Sequence, residues 1–373
     1  MSIGEHTHRR HRDGKFRLFA TCVAVRGARN SAIYDLNRLR LLAFPTPYLD
    51  VLEELQRLSI EQVLQDHVAI GDVERVSDFV DYLLEAEVAF FVEDHDAFPA
   101  LVQDWDCPAI IDNAIIDVDD TMHDFRACIG ELDAVGCQFL QVRAYSTAFV
   151  LDHIRTIVAA ATNTSLRSVE FLLCYTPDLE CELTQLVRDH HIITRAVVHS
   201  APLTVRKQLF AEHELLDGIG QKEIEFYARA VTSCEACGYI TAKDLKAPTI
   251  DEFMEMSMFN GCLNRKISID AQGNIKNCPS FSGEFGNITS MRLADVVKQA
   301  EFRRVWSIYK DNISVCKDCE LRYACTDCRA YTVGDDPLGK PSRCGYDPYT
   351  GVWDENNRRD QMSPEFARGA FHE

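Results

Sequence analysis

Seven cysteines in the last third of the chain are grouped in a way that chance rarely produces. Cys262 is followed by ten residues, Gly273, four residues and Cys278; after a gap comes Cys316-x2-Cys319-x5-Cys325-x2-Cys328, and fifteen residues later Cys344. Close thiols of this kind hold soft metals, which can fix loops too short to bury a core of their own. Cys234 and Cys237 stand just upstream. The chain has fifteen cysteines, and no apolar run follows its basic start, so no secretory signal is expected. In a reducing cytoplasm, clustered thiols are ligands more often than disulfides. The scattered Cys22, Cys107, Cys128, Cys137, Cys174 and Cys181 sit among apolar neighbours and read as small buried hydrophobes.

Two metals compete for the grouped thiols. Zinc takes four ligands and commonly sits between two C-x2-C knuckles. The five residues between Cys319 and Cys325 are shorter than the usual span between knuckles, and three cysteines would be left over. Thiolate-only ligation without histidine suits cubane 4Fe–4S clusters, each held by four cysteines. Iron–sulfur is therefore the expectation, with zinc the alternative.

The elements that must position these thiols are legible nearby. Residues 266–270 alternate like a strand, 271–274 make a turn, and 275–278 return, so a hairpin brings Cys262 and Cys278 near each other. Gly273 supplies the turn geometry. Leu293, Val296, Val297, Ala300 and Val305 form the stripe of one amphipathic helix. Each C-x2-C is a tight loop in which two sulfurs can face one metal centre.

Upstream, residues 15–92 read as a small α+β unit. Strands are expected at 16–19, 22–25, 32–36, 39–44 and 88–92, and helices at 49–58 and 76–84. That pattern fits a winged-helix module that captures leader peptides, or a generic packing domain. Residues 105–230 alternate strand and helix, with strands near 109–116, 139–142, 169–174 and 192–198 and helices near 125–132, 149–158 and 183–187. This implies a parallel sheet, open or partly barrel-shaped. Residues 203–230 read as helix. The cysteine region occupies 231–355, and 356–373 is a polar tail. The fold class is therefore α/β, with an α+β module before the sheet and a cysteine-rich domain after it.

Chemistry in such sheets sits at the carboxyl ends of the strands. There the chain places Asp117, Asp119, Asp120, His123 and Asp124, which read as the N-cap and first-turn acids of the next helix. His190 and His191 read as surface residues at a helix end, and the basic tail around His6, His8 and His11 as a solvated terminus. A net charge of −19 argues against nucleic acid or an anionic membrane as partner, and no stretch is apolar enough to span a bilayer.

The cysteine region resembles the SPASM domain found at the carboxyl end of many radical SAM peptide-modifying enzymes. That pattern runs Cys, a variable stretch, Gly-x4-Cys, a gap, Cys-x2-Cys-x5-Cys-x3-Cys, a gap, Cys. This chain departs from it only at the last pair, where two residues rather than three separate Cys325 from Cys328. The likeness is closer still to the SPASM-domain peptide maturases of grasp-with-spasm systems. It is carried by Cys262-Leu263-Asn264-Arg265-Lys266, Gly273-Asn274-Ile275-Lys276-Asn277-Cys278, residues 316–331 and Cys344-Gly345-Tyr346.

The resemblance implies two 4Fe–4S clusters. One would take Cys316, Cys319, Cys325 and Cys344. The other would take Cys262, Cys278 and Cys328 with a fourth ligand upstream, Cys237 in preference to Cys234. Radical SAM enzymes bind their catalytic cluster through Cys-x3-Cys-x2-Cys after the first barrel strand. Here residues 113–124 hold no cysteine, and the triplet occurs nowhere in the chain. The resemblance thus implies a radical-SAM-like barrel without radical SAM chemistry. It also implies a cytoplasmic role in maturing a ribosomally synthesised peptide, binding the precursor beside an ATP-grasp ligase. An independent peptide-modifying enzyme and a zinc-stabilised scaffold are the alternatives.

Overall fold

The computed structural model describes residues 14–68, 73–94, 97–209 and 222–354. The histidine-bearing start and the tail at 356–373 lie outside them.

The chain begins with β1 (Lys15–Leu18), which pairs antiparallel with β5 (Ala89–Val92). Between them, β2 (Cys22–Val25), β3 (Asn30–Asp35) and β4 (Arg40–Pro45) form an antiparallel meander. Three helices follow: α1 (Pro47–Leu55), α2 (Ile60–Val68) and α3 (Val73–Glu85). Pro47 opens α1, where its fixed φ and missing N–H cost nothing. Helix α2 was not expected from the apolar period. Its signal is a capping box: Ser59 N donates to Gln62 Oε1 and Gln62 N to Ser59 Oγ, at 3.0 and 3.4 Å.

Strand β3 is buried on both faces, which explains its nearly unbroken apolar run. Ile33 packs with Leu52, Leu55, Val80 and Leu83 on the helix side. Ala32 and Tyr34 pack with Phe253 and Ala324 of the cysteine region. The Tyr34 hydroxyl donates to the Glu320 carbonyl at 2.7 Å, and its ring lies 5.5 Å from that of Phe253.

The centre is one eight-stranded sheet, ordered β10 (Val205–Gln208), β11 (Glu223–Phe226), β9 (Ile193–His199), β8 (Ser168–Cys174), β7 (Phe139–Ala144), β6 (Asn113–Val118), β12 (Lys266–Ile269) and β13 (Ile275–Lys276). Strand β6 (Asn113–Val118), helix α4 (Phe125–Ala134), β7 (Phe139–Ala144), α5 (Leu151–Ala161), β8 (Ser168–Cys174), α6 (Pro177–Asp189) and β9 (Ile193–His199) follow in turn. The four strands pair in parallel, as the expected strand–helix alternation requires. One face carries Ala114, Ile116, Leu140, Val142, Phe171 and Val198 against the helices. The opposite face is polar yet buried, with Asp117, Gln141, Arg143, Glu170, Arg195 and Glu225 all under 9% exposed.

Two expected helices take other forms. Residues 203–230 contain no helix among those described; they hold β10 (Val205–Gln208) and β11 (Glu223–Phe226), paired antiparallel, with β11 parallel to β9. The period is two: Ile224 and Phe226 enter the core while Glu225 turns to Arg195 and Arg206. Residues 293–305 bend after Val297, giving α8 (Leu293–Val296) and α9 (Ala300–Arg303), so Phe302 is buried in place of the exposed Ala300. Among the scattered cysteines, Cys22, Cys128 and Cys137 are buried, and Cys107 and Cys174 are half-buried. Cys181 is exposed, because α6 buries Leu179, Leu183 and Leu186 on its other side.

Tyr34→Phe removes the hydroxyl that ties β3 to the cysteine region and leaves the Glu320 carbonyl without that partner. A loss of about 1–2 kcal/mol is expected in urea unfolding. An unchanged midpoint would show that ring packing alone holds the contact.

Candidate metal centres

The thiol region is built onto the sheet. Helix α7 (Ile250–Met258) begins at a reciprocal cap between Thr249 and Glu252. The chain then passes Cys262 and enters β12 (Lys266–Ile269), which pairs in parallel with β6. Strand β13 (Ile275–Lys276) returns antiparallel to β12. In the turn, Asp270 Oδ1 accepts from the N–H groups of Gln272 and Asn274 at 3.0 and 2.9 Å, and Gly273 takes a φ of 85°. Cys262 precedes this hairpin and Cys278 follows it, as the alternation at 266–278 implied.

Around those two thiols stand Cys237 and Cys328. Burial pushes the Cys278 thiol up to about 12, reinforced by Cys262 and Cys237. Cys328 is raised further, by burial and then by Cys237, Cys262 and Cys278. The approach is close at Gly238, which has φ 89°: a β-carbon there would lie 2.9 Å from Cys328 Sγ and 3.0 Å from Tyr331. Only glycine can follow Cys237 at that separation. Cys234 opens a single turn, Cys234–Ala236, capped by Ser233, and its charge is felt by Tyr145 and Tyr331.

The second group lines one small pocket of about 30 Å³: Cys316, Cys319, Cys325 and Cys344, with Tyr346 and Trp353 against them. Cys316 begins a single turn, Cys316–Asp318, whose end is closed by Cys319 N donating to Cys316 O at 3.0 Å. The residue ahead of it, Val315, has φ 68°, a conformation a β-branched side chain resists. Burial pushes the Cys316 thiol up to about 11, opposed by Lys310. Cys319 and Cys344 are raised by burial as well. Tyr349, by contrast, is half exposed and donates to Asp318 Oδ2 at 2.7 Å.

Thiols crowded in a dry interior keep their protons until a cation takes the protons' place. The donor set has the softness iron–sulfur clusters need. Among the described residues, no three His, Cys, Asp or Glu side chains gather about a single-ion position. Cys316, Cys319, Cys325 and Cys344 line the second pocket together, an all-sulfur donor set of the kind soft metal centres take.

At the carboxyl end of β6 the acids divide. Asp124 is the N-cap of α4, accepting from Arg126 N and Ala127 N at 3.1 Å each. Asp119 and Asp120 are exposed. Asp117 does not cap a helix: it points to the buried sheet face and binds Arg143 through two bonds of 2.6 and 2.9 Å. Tyr145 Oη donates to its Oδ2 at 2.9 Å. Strand alternation decides this, since Asp117 and Arg143 are cross-strand partners on one face. Burial raises the Cys237 thiol and the Arg143 cation opposes that rise, which sets this pair near the first thiol group.

A further pocket of about 240 Å³ touches both groups, lined by Cys262 and Cys325 with Glu255, Asn264 and Lys266. Asn264 donates to Glu255 Oε1 at 2.8 Å, and Lys266 Nζ lies 3.7 Å from Cys262 Sγ. Burial, with Asp112 and Asp251 nearby, pushes the Glu255 carboxyl up to about 7. His190 caps the end of α6 and lies with His191 at the surface. Arg143, Glu255 and Lys310 were not singled out in the sequence. Only Arg143 had a signal there, the polar–apolar alternation of residues 141–145.

Residues 262–320 match the family model of the SPASM iron–sulfur cluster-binding domain, as the cysteine spacing led one to expect. No curated protein matches the chain. Among solved structures, SuiB of Streptococcus suis bound to S-adenosylmethionine is 11% identical, with 88% of this chain and 99% of that chain covered and a TM-score of 0.35. SuiB bound to precursor peptide SuiA gives 10% identity, the same coverage and a TM-score of 0.31. Scores this low carry no argument here.

Asp117→Asn leaves Arg143 buried without its counter-ion, so a loss of about 3–5 kcal/mol is expected in denaturant unfolding. A loss under about 1 kcal/mol, as for an exposed pair, would contradict the buried pairing. Glu255 has the opposite linkage. Its native carboxyl holds a proton up to pH about 7, whereas the unfolded chain releases it near pH ~4.3. Stability from this group is thus fully present below the unfolded value and falls by about 3 kcal/mol as pH rises to about 7. Glu255→Gln should remove that slope; an unaltered pH–stability curve would refute the assignment.

Proposed function

We propose that this chain is an iron–sulfur protein of ribosomal peptide maturation, holding two 4Fe–4S clusters. Cys316, Cys319, Cys325 and Cys344 would ligate one. Cys237, Cys262, Cys278 and Cys328 would ligate the other, with Cys237 preferred to Cys234 because the glycine that follows it lies against Cys328 Sγ. The observation that carries the reading is the gathering of Cys316, Cys319, Cys325 and Cys344 in one pocket, with the other four thiols half-buried beside it, together with the SPASM match. When bound, such clusters supply one-electron transfer. The chain's own residues would bury them, pair them with cations and fix their distance from the sheet.

The chain would work in three parts: 15–92 for the precursor's leader, 105–230 as a radical-SAM-like sheet without its cluster motif, and 231–355 for the clusters. Strand β2 is one of the two outer strands of its meander and borders a groove of about 500 Å³ lined by Val23, Ala24, Leu49, Leu52 and Gln56. An extended peptide could add there as a further strand. The ligation itself would belong to an ATP-grasp partner, and the setting would be cytoplasmic. Among the described residues no helix is long and apolar enough to cross a membrane. With no Cys-x3-Cys-x2-Cys in the chain, reductive cleavage of SAM has no ligand set. A second reading, an enzyme that modifies the peptide itself, is favoured by the pocket that touches Cys262 and Cys325 beside Glu255.

Anaerobic reconstitution should give brown protein with about eight iron atoms per chain, falling to about four in Cys319→Ala. Colourless protein with stoichiometric zinc would replace this reading with the scaffold. Precursor peptide should change mass only when the ATP-grasp ligase is added; a change with this protein alone would establish the second reading.

A further inference from the structure

The loop between the last two close thiols, Cys325-Thr326-Asp327-Cys328, carries a carboxylate into the interior. Asp327 is 1% exposed and takes φ 51°, a left-handed conformation that Asp tolerates better than most residues. Its Oδ1 lies 3.2 Å from Lys310 Nζ and 2.8 Å from Arg329 Nη2. Its Oδ2 accepts from Asn260 Nδ2 at 2.8 Å. Asn260 in turn accepts on Oδ1 from the N–H groups of Cys262 and Leu263, at 3.0 and 2.9 Å. At the other end, Lys310 Nζ donates to Cys316 Sγ at 3.9 Å. A continuous buried path therefore joins Cys262 of one thiol group to Cys316 of the other.

The charges along this path do not cancel. Lys310 and Arg329 are 3% and 6% exposed, and both lean on the one carboxylate of Asp327. Arg329 is further satisfied by the carbonyls of Gly339 and Pro337, at 2.8 and 3.2 Å, which carry no net charge. A buried cation survives only beside compensating negative charge. The surplus positive charge faces the Cys316 sulfur, and a metal-bound thiolate is the anion that balances it.

We propose that Lys310 is the resident counter-charge of the metal centre at Cys316, favouring its reduced form, and that Asp327 and Asn260 position it. The inference rests on the cluster reading above. Adding an electron makes a thiolate-ligated centre more negative, and a fixed cation a few ångströms away in a dry interior stabilises that state.

The test is EPR-monitored titration of the full, anaerobically reconstituted chain with dithionite as reductant. Lys310→Gln should lower the reduced fraction of one centre about tenfold at fixed potential, equal to ~59 mV for a one-electron couple, and leave the other in place. Lys310→Arg should keep both near wild type, and Asp327→Asn should move the same centre in the opposite direction. Fully loaded variants with unmoved potentials, or with both centres moving equally, would overturn the proposal. If Lys310→Gln takes up no iron while Lys310→Arg does, the need for a cation is supported; loss in both would show a packing role and refute it. Wild-type protein without iron would defeat the cluster reading instead.

Discussion

Four register pairs between β12 and β6, from Lys266 against Asn113 to Ile269 against Ile116, join the hairpin between Cys262 and Cys278 to the central sheet. Nearly everything about the candidate centres depends on that pairing. It sets Cys262 beside the edge of a rigid α/β core rather than at the tip of a free loop. It also brings the buried Asp117–Arg143 pair next to Cys237. The loops bearing the second thiol group lack such a support and lean on short turns and buried charges instead.

The second joint is β3. Its two buried faces serve two hydrophobic clusters at once, helices on one side and the cysteine region on the other. Further contacts reinforce it: Arg322 Nη1 donates to the Arg26 carbonyl at 2.7 Å, and Ala28 N to the Asp318 carbonyl at 2.8 Å. The amino-terminal unit therefore packs directly on the loop between Cys316 and Cys325. A peptide seated on β2 would be one strand removed from that contact.

The thiol groups and the parallel sheet were legible because each rests on local spacing: sulfurs a few residues apart, apolar residues at period two or 3.6. What escaped depends on partners distant in sequence. Asp117 looked like a capping acid until its partner 26 residues away proved to be a buried arginine. Asn260 and Asp327 meet across 67 residues, and neither carries any mark of it in its own neighbourhood. The strands at 205–208 and 223–226 are only four residues each, too short for their period to outweigh a helical reading. Helix α2 was readable in principle, through Ser59 and Gln62, but by a cap rather than by its stripe.

Val315, wound left-handed just before Cys316, is a cocked spring. Holding a β-branched residue there costs about 1–3 kcal/mol, which surrounding structure must outweigh. Under the ligation proposed for Cys316, the metal bond would be the nearest such restraint. Stripping the centre with a chelator would then let this turn recoil, and a protease cutting near it would discriminate filled from empty molecules.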